Sequence, residues 1–208
     1  MNTFIHPTAI IEDGVSIGAG TAIWDHTHIR HDTQIGEQCL IGEKVYIAYA
    51  VRIGNRVKIQ NFTVINTAVT IEDGVMLCGG TIFTNELYPR ATTPDLSTLL
   101  PSGPTEKTLS TLVREGATIG AGVVLRGGIT IGRFAMVGFG ALVTRSVPDF
   151  HLVTGQPATT VGCVCRCGQP VARFKETAPL VRAEHACGAC GRRYVVDGLT
   201  VTELDAGC

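Results

Sequence analysis

A period of six constrains this chain more than any other feature. From Ile5, every sixth residue up to Ile71 is isoleucine, and Leu77 and Phe83 continue the phase. Neither the helix period nor simple strand alternation gives that spacing. A short repeat sustained over so many steps specifies a solenoid, each unit being one short strand plus a corner. Three units then close one triangular coil. Units such as IEDGVS, IGEKVY and IGNRVK carry Gly, Asp, Glu or Asn at the second and fourth positions, where turns favour them. The fifth position is small or β-branched, from Ala9 and Val15 to Val75 and Thr81. The bulky first positions are read as core, with successive coils paired as parallel strands ~4.8 Å apart. Burying each isoleucine is worth about 1.5–3 kcal/mol before entropy is subtracted. A polar residue there would leave an unpaired group in the stack.

The phase stops after Phe83 and resumes at Val113, Ile119, Leu125, Ile131, Val137 and Val143. Residues 84–112 therefore leave the solenoid and return in register. That stretch holds four prolines, and a loop so long inside a compact repeat tends to be functional. The plain alternative is a floppy insertion.

Composition narrows the function classes. The 208 residues carry 17 basic and 18 acidic side chains, a net charge of −1. No basic excess points to nucleic acid or to an anionic membrane. The N-terminus shows neither a basic n-region nor a long apolar run, so a cytoplasmic protein without a transmembrane helix is expected. Five of the eight cysteines fall between Cys163 and Cys190. Without an export signal, such clustering reads as metal rather than disulfide.

The hexapeptide pattern is lost after Gly162, which divides the chain into a β-helix domain, 1–162, and a zinc-ribbon-like domain, 163–208. Two knuckles stand out in the second: Cys165-Arg-Cys167-Gly and Cys187-Gly-Ala-Cys190-Gly. Four thiolates on glycine-assisted turns make a closed, structural zinc site. Cys163 pairs with Cys165 equally well by spacing. The glycine after Cys167 mirrors the one after Cys190 and favours Cys165, Cys167, Cys187 and Cys190 as ligands. A tail of about forty-five residues has little core of its own, and structural zinc binding, at about 10–16 kcal/mol, would suffice to fold it. A disulfide or redox pair is the alternative. Cys39 and Cys208 are read as incidental.

Several stretches resemble a known family. The hexapeptide units, the single long excursion, IGRFAMVGFGALVTRSVP and GQPA resemble the left-handed β-helix acyltransferases, over Ile5 to about Gly162. More narrowly, IWDHTHIR, VKIQNFTVINTAVTIEDGV and TIFTNELYPRA look like the nucleotide-sugar N-acetyltransferases, with KIQN and FTN…PRA pointing to the 3-amino sugar group. The resemblance implies an all-β, left-handed parallel β-helix that forms a homotrimer with its site between neighbouring subunits. It implies transfer of an acetyl group from acetyl-CoA to the amine of a UDP- or dTDP-linked amino sugar, by direct amine attack on the thioester. That chemistry needs a neutral amine, close alignment with the carbonyl, and donors for the developing oxyanion.

The site residues follow from the same resemblance. Asn85, in FTN, matches the asparagine that touches the reacting amine; a turn-forming Asn is the bland alternative. No histidine lies in 84–112, so none is expected there as a base, and a sugar amine loses its proton more readily than a hydroxyl. His28 matches a histidine on the sugar side, and Trp24 shares its strand face if the corner near Asp25 keeps parity. The neighbouring His26 leaves that pairing open. Lys58, Gln60 and Asn61 flank Ile59 outward and would meet sugar or phosphate, or simply solvent. Arg90 offers a fork for a carboxylate or phosphate. Coenzyme A is expected along the C-terminal coils, with Gly127 and Gly128 admitting the pantetheine arm, Arg145 at a phosphate and Pro157 near the adenine. Two other classes compete: a non-catalytic scaffold whose zinc ribbon docks a partner, and a carbonic-anhydrase-like metalloenzyme. The second needs three histidines at one metal, which His26 and His28 on one strand do not supply.

Overall fold

The computed structural model describes residues 2–174 and 181–204; Cys208 lies outside them. Among the described residues all regular structure is β, in twenty-six strands, most of them two residues long. No helix is long and apolar enough to cross a membrane.

The strands stack into three parallel faces. The first runs from Phe4–Ile5 through Lys58–Ile59 to Met136–Val137; the second from Ile10–Ile11 to Leu142–Val143; the third from Ser16–Ile17 to Thr130–Ile131. Each hexapeptide supplies one strand, so a residue meets its counterpart eighteen positions on, as Ile5 meets Ile23 and Ile41 meets Ile59. Across the excursion that offset becomes forty-two, with Ile71 opposite Val113 and Phe83 opposite Leu125. The excursion thus inserts four whole units, and the coils resume undistorted.

The isoleucine column is the core. Ile23, Ile29, Ile41, Ile47, Ile59 and Ile65 are fully buried. Ile5 departs from the expectation and is 42 % exposed. Ile11 and Ile17 are only partly buried. The reason is that this first coil has a neighbour on one side only. The fifth position hides a polar ladder: Thr21, Thr27 and Thr33 are buried, and each hydroxyl donates to a carbonyl one coil on, of Gly36 (2.8 Å), Gly42 (2.7 Å) and Ala48 (2.9 Å). Those bonds remove the penalty of burying a hydroxyl. Cys39 occupies one rung, its thiol 3.1 Å from the Gly54 carbonyl oxygen.

The corners explain the turn residues. The fourth residue of most units adopts a left-handed backbone, whether glycine (Gly14, Gly74, Gly116) or not (His26, Lys44, Phe62). At the second position the constraint is contact. A Cβ on Gly36 would stand 2.5 Å from the Gly54 carbonyl oxygen of the next coil.

The C-terminal segment is continuous with the solenoid. His151–Gly155 joins the first face in parallel, Ala158–Val164 pairs with it antiparallel, and Pro170–Arg173 follows. The strand Ala158–Val164 runs straight through the Gly162–Cys163 junction where the sequence pattern changes. A separate three-stranded sheet, Ala183–Ala186, Arg193–Asp197 and Thr200–Glu203, completes the tail. Buried His151 ties the two parts, its Nε2 2.7 Å from the Leu199 carbonyl oxygen and its Nδ1 3.1 Å from Thr160 Oγ1. Burial is the main influence on its pKa and lowers it.

Candidate active site and tail metal centre

Position along the repeat decides which corner a residue occupies. Residues 30, 48, 66 and 84 share the corner between the second and third faces. The excursion leaves from that corner at Thr84, which is pinned there: its N–H and hydroxyl donate to the Leu125 carbonyl (2.9 and 3.1 Å), and its hydroxyl accepts the Gly127 N–H (3.1 Å). The Leu109 N–H donates to the Asn85 carbonyl at 2.8 Å and closes the neck. Gly127 lies under that neck. A Cβ there would meet the Thr84 oxygen at 2.9 Å and the Asn85 Cα at 3.0 Å, so the loop exit itself requires the glycine.

Between corner and excursion lies a cavity of about 740 Å³. The solenoid lines it with Arg30, Tyr46, Tyr49 and Asn66, and the excursion with Asn85, Glu86, Arg90, Leu99 and Leu100. Asn66 is fixed from below by its side-chain N–H to the Phe83 carbonyl, 2.8 Å.

Arg30 is held by a buttress one coil away. Glu12 Oε1 lies 2.6 Å from Arg30 Nε and 2.8 Å from His28 Nε2, and Oε2 accepts the His31 N–H at 3.0 Å. Arg30 leads in bringing the Glu12 carboxyl down to about 2; burial opposes it, and the His31 N–H and then His28 add to the lowering. Arg30 also donates to the Tyr46 hydroxyl at 3.3 Å, and the His31 ring stacks on Tyr49 at 5.0 Å. His28 therefore serves Glu12 in this structure and does not line the cavity. His26 is paired with Asp25 at 3.0 Å.

The other expected residues divide among separate edges. Trp24, Gln60 and Asn61 lie on the corner between the first and second faces, and Lys58 points outward from the first face. Trp24 packs against Phe4, ring centroids 5.5 Å apart. Gln60 accepts the Gly79 N–H at 3.0 Å and Asn61 accepts the Glu43 N–H at 3.1 Å, so both are partly spent on coil stacking. A second concavity of about 600 Å³ sits beside them, against Gly79 and Gly80. Within one chain these residues do not meet Asn85. Exposed Arg145 stands on the excursion's corner two coils on, near Gly128, whereas Pro157 is at the tip of the Gly155–Ala158 turn. Arg30, Tyr46, Tyr49 and Glu86 were not singled out from the sequence. Glu86 directly follows Asn85, and Glu12, Arg30, Ala48 and Asn66 are spaced by the coil length of eighteen, which was the available signal.

In the tail, the sulfur atoms of Cys165, Cys167, Cys187 and Cys190 all lie within 4.8 Å of one another. The Cys165–Cys190 and Cys167–Cys187 separations are 3.4 and 3.6 Å, close to the ~3.8 Å edge of a tetrahedron built on 2.3 Å metal–sulfur bonds. Cys163 is buried in the strand beneath and is not part of the cluster. Backbone donors favour the thiolate at Cys187, whereas the crowding of the thiols raises Cys190 and Cys167. The N–H groups of Ala189 and Cys190 lower Cys187 to about 6. The Tyr194 hydroxyl, fully buried, donates to Cys165 Sγ at 3.1 Å while accepting the Arg166 N–H at 3.1 Å. From Tyr194 an aromatic path leads to Phe150 (5.5 Å) and Phe134 (5.8 Å), with Arg166 4.4 Å over the Phe134 ring. Phe134 lies flat on Gly116, where a Cβ would stand 2.2 Å from its ring. The metal-type cluster is thereby seated on the corner between the third and first faces, away from the excursion.

A three-faced stack of hexapeptide units defines the class: a parallel β-solenoid. Residues 14–49 match the family described as bacterial transferase hexapeptide (six repeats), and residues 33–67 the hexapeptide repeat of succinyl-transferase. Among curated relatives, the chain is similar to a dTDP-3-amino-3,6-dideoxy-alpha-D-galactopyranose 3-N-acetyltransferase from Aneurinibacillus thermoaerophilus, 41 % identical over 90 residues, 43 % of each chain. It is 44 % identical to an Escherichia coli K12 serine acetyltransferase over 50 residues, 24 % of this chain and 18 % of that one. The chain thus spans less than half the length of either relative. A solved structure of a variant of AntD, an N-acyltransferase from Bacillus cereus, in complex with dTDP and coenzyme A, superposes with a TM-score of 0.61. It is 18 % identical, covering 76 % of this chain and 86 % of that one, and it bears on the fold alone.

Proposed function

We propose that this chain is an acetyl-CoA-dependent N-acetyltransferase acting on the amino group of a dTDP- or UDP-linked amino sugar, of the 3-amino type. The observation that carries the reading is the cavity at the excursion's root, where the Asn85 amide stands beside two guanidinium groups, Arg30 and Arg90. The 90-residue similarity to a nucleotide-sugar N-acetyltransferase supports it. Neither Asn85 nor Glu86 has a side-chain partner among the described residues, so both are available to a ligand. Arg30 and Arg90 suit a diphosphate, and Asn85 orients the amine toward the thioester carbonyl. Coenzyme A would follow the later coils past Arg145, since at Gly128 a Cβ would already stand 3.4 Å from the Leu109 side chain.

The split between corners supports assembly as a homotrimer. A neighbouring copy would bring its Trp24, Lys58, Gln60 and Asn61 against the excursion, completing a site that one chain leaves open. The tail cluster fits a structural zinc held by Cys165, Cys167, Cys187 and Cys190, closed to substrate. A cytoplasmic location goes with this reading, since its co-substrates are cytoplasmic metabolites.

The test is thiol release from acetyl-CoA with a panel of dTDP- and UDP-linked 3-amino sugars. Turnover is expected with at least one of them, and Asn85→Ala is expected to lower kcat at least tenfold with an unchanged melting temperature. No turnover across the panel would overturn the reading.

A further inference from the structure

We propose that Glu86 is the catalytic base, the group that takes the proton from the sugar amine; this rests on the acetyltransferase reading above. Among the residues lining the cavity, Glu86 is the one carboxylate, and it follows directly on Asn85 at the root of the excursion. It makes no hydrogen bond or ion pair with any described residue, although two guanidinium groups line the same cavity. Arg30 is held by Glu12 and the Tyr46 hydroxyl, and exposed Arg90 donates to the Pro89 carbonyl at 3.3 Å, and each guanidinium keeps N–H groups for a ligand phosphate. A carboxylate left unpaired beside arginines, in a half-buried position, is placed for a cation that arrives with the ligand. A sugar ammonium is such a cation.

The histidines do not compete. His28 and His31 are the nearest along this corner. His28 Nε2 is bound to Glu12 and His31 Nδ1 to Asp32 at 2.8 Å, and neither lines the cavity. The reaction then balances as follows. The bound ammonium first releases one proton to solvent; the neutral amine nitrogen then attacks the thioester carbonyl carbon and a C–N bond forms. The nitrogen passes one proton to the Glu86 carboxylate. Collapse of the tetrahedral intermediate breaks the C–S bond, and the departing coenzyme A sulfur receives that proton from Glu86. Amide and thiol are released, nothing is oxidised or reduced, and Glu86 returns to its starting form. A positioned base of this kind contributes roughly 10²–10⁴-fold.

The experiment compares wild type, Glu86→Gln and Glu86→Asp in the full chain, using acetyl-CoA and the amino-sugar nucleotide that the panel identifies. The amide keeps hydrogen bonding and removes the base. Glu86→Gln is expected to lower kcat about 10²-fold or more, with KM for the sugar nucleotide within about threefold and an unchanged melting temperature. Glu86→Asp is expected to recover part of kcat. Glu86→Gln within threefold of wild-type kcat, or a loss confined to KM, overturns the assignment while leaving the acetyltransferase reading intact. A wild type inactive on the whole panel overturns both.

Discussion

The solenoid and the tail solve the same problem, holding short strands and tight turns together, by opposite means. The solenoid spreads its stability over a column of identical contacts, with Ile23, Ile41, Ile59 and their successors each fully buried between two neighbours. The tail, with the proposed zinc bound, would concentrate it in four sulfur atoms and one aromatic path, Tyr194–Phe150–Phe134. A distributed core loses a part when one residue is changed; a concentrated one loses the whole. Function follows the same division, because a rigid, redundant stack leaves its corners free to carry chemistry.

Cys187→Ser strikes the tail where its stability is concentrated. It is expected to abolish metal binding and unfold the tail, removing most of a metal contribution of about 10–16 kcal/mol. Metal content should fall from one zinc per chain to none, with limited proteolysis cutting after about residue 164. Wild type isolated without metal would contradict it. Next is Ile59→Ala, expected to cost about 2–5 kcal/mol through lost burial and a cavity. Thermal melting should show a lower midpoint while zinc content stays unchanged, since the damage is confined to one coil. Tyr194→Phe sharpens the picture of the tail. Removing a hydroxyl that donates to a ligand sulfur is expected to weaken metal retention about 10–100-fold, read as faster transfer to a chromogenic chelator.

The smallest effect concerns the Glu12 buttress. Its carboxyl is held at about 2, below its ordinary 4.5, chiefly by Arg30. A depressed folded value means the contribution is fully present above pH 4.5 and is lost as the pH falls toward 2. Glu12→Gln should therefore melt slightly lower than wild type at pH 6, and the difference should vanish near pH 2. Glu12 is exposed enough that solvent screening keeps the effect small. A difference that grows on acidification would contradict the assignment.

Much of the fold was legible from one periodicity. The isoleucine phase alone locates the coils, the excursion and the return in register, because a packed column admits only one spacing. The phase also places Gly127 and Gly128 beneath the loop's root. Less legible was which expected residues share a site. Trp24, Gln60 and Asn61 fall on one corner and Asn85 and Arg90 on another, a separation that depends on position within eighteen, not within six. Partners such as Glu12 and Arg30, a coil apart, escape any search confined to short motifs. Glu86 carries no motif of its own: a single acidic residue after Asn85 looks like a solvated loop carboxylate until the fold sets it in the cavity wall. Tyr194 reads as one more apolar core residue until its hydroxyl is seen 3.1 Å from Cys165 Sγ.

The offset of eighteen between stacked partners has a consequence for how such a chain tolerates change in length. Deleting one hexapeptide from the coils before Phe83 would keep the isoleucine column in phase, yet advance all earlier side chains by a third of a turn against the later ones. Glu12 and Arg30 would then travel to another edge while Asn85 stayed over Gly127. The excursion obeys no such gearing. Its two ends are clamped by Thr84 and by the Leu109–Asn85 hydrogen bond, and its interior can be lengthened or exchanged without turning any coil. Variation in the roof of the cavity is thus mechanically decoupled from its floor, so substrate choice can drift there while the rest of the molecule keeps its phase.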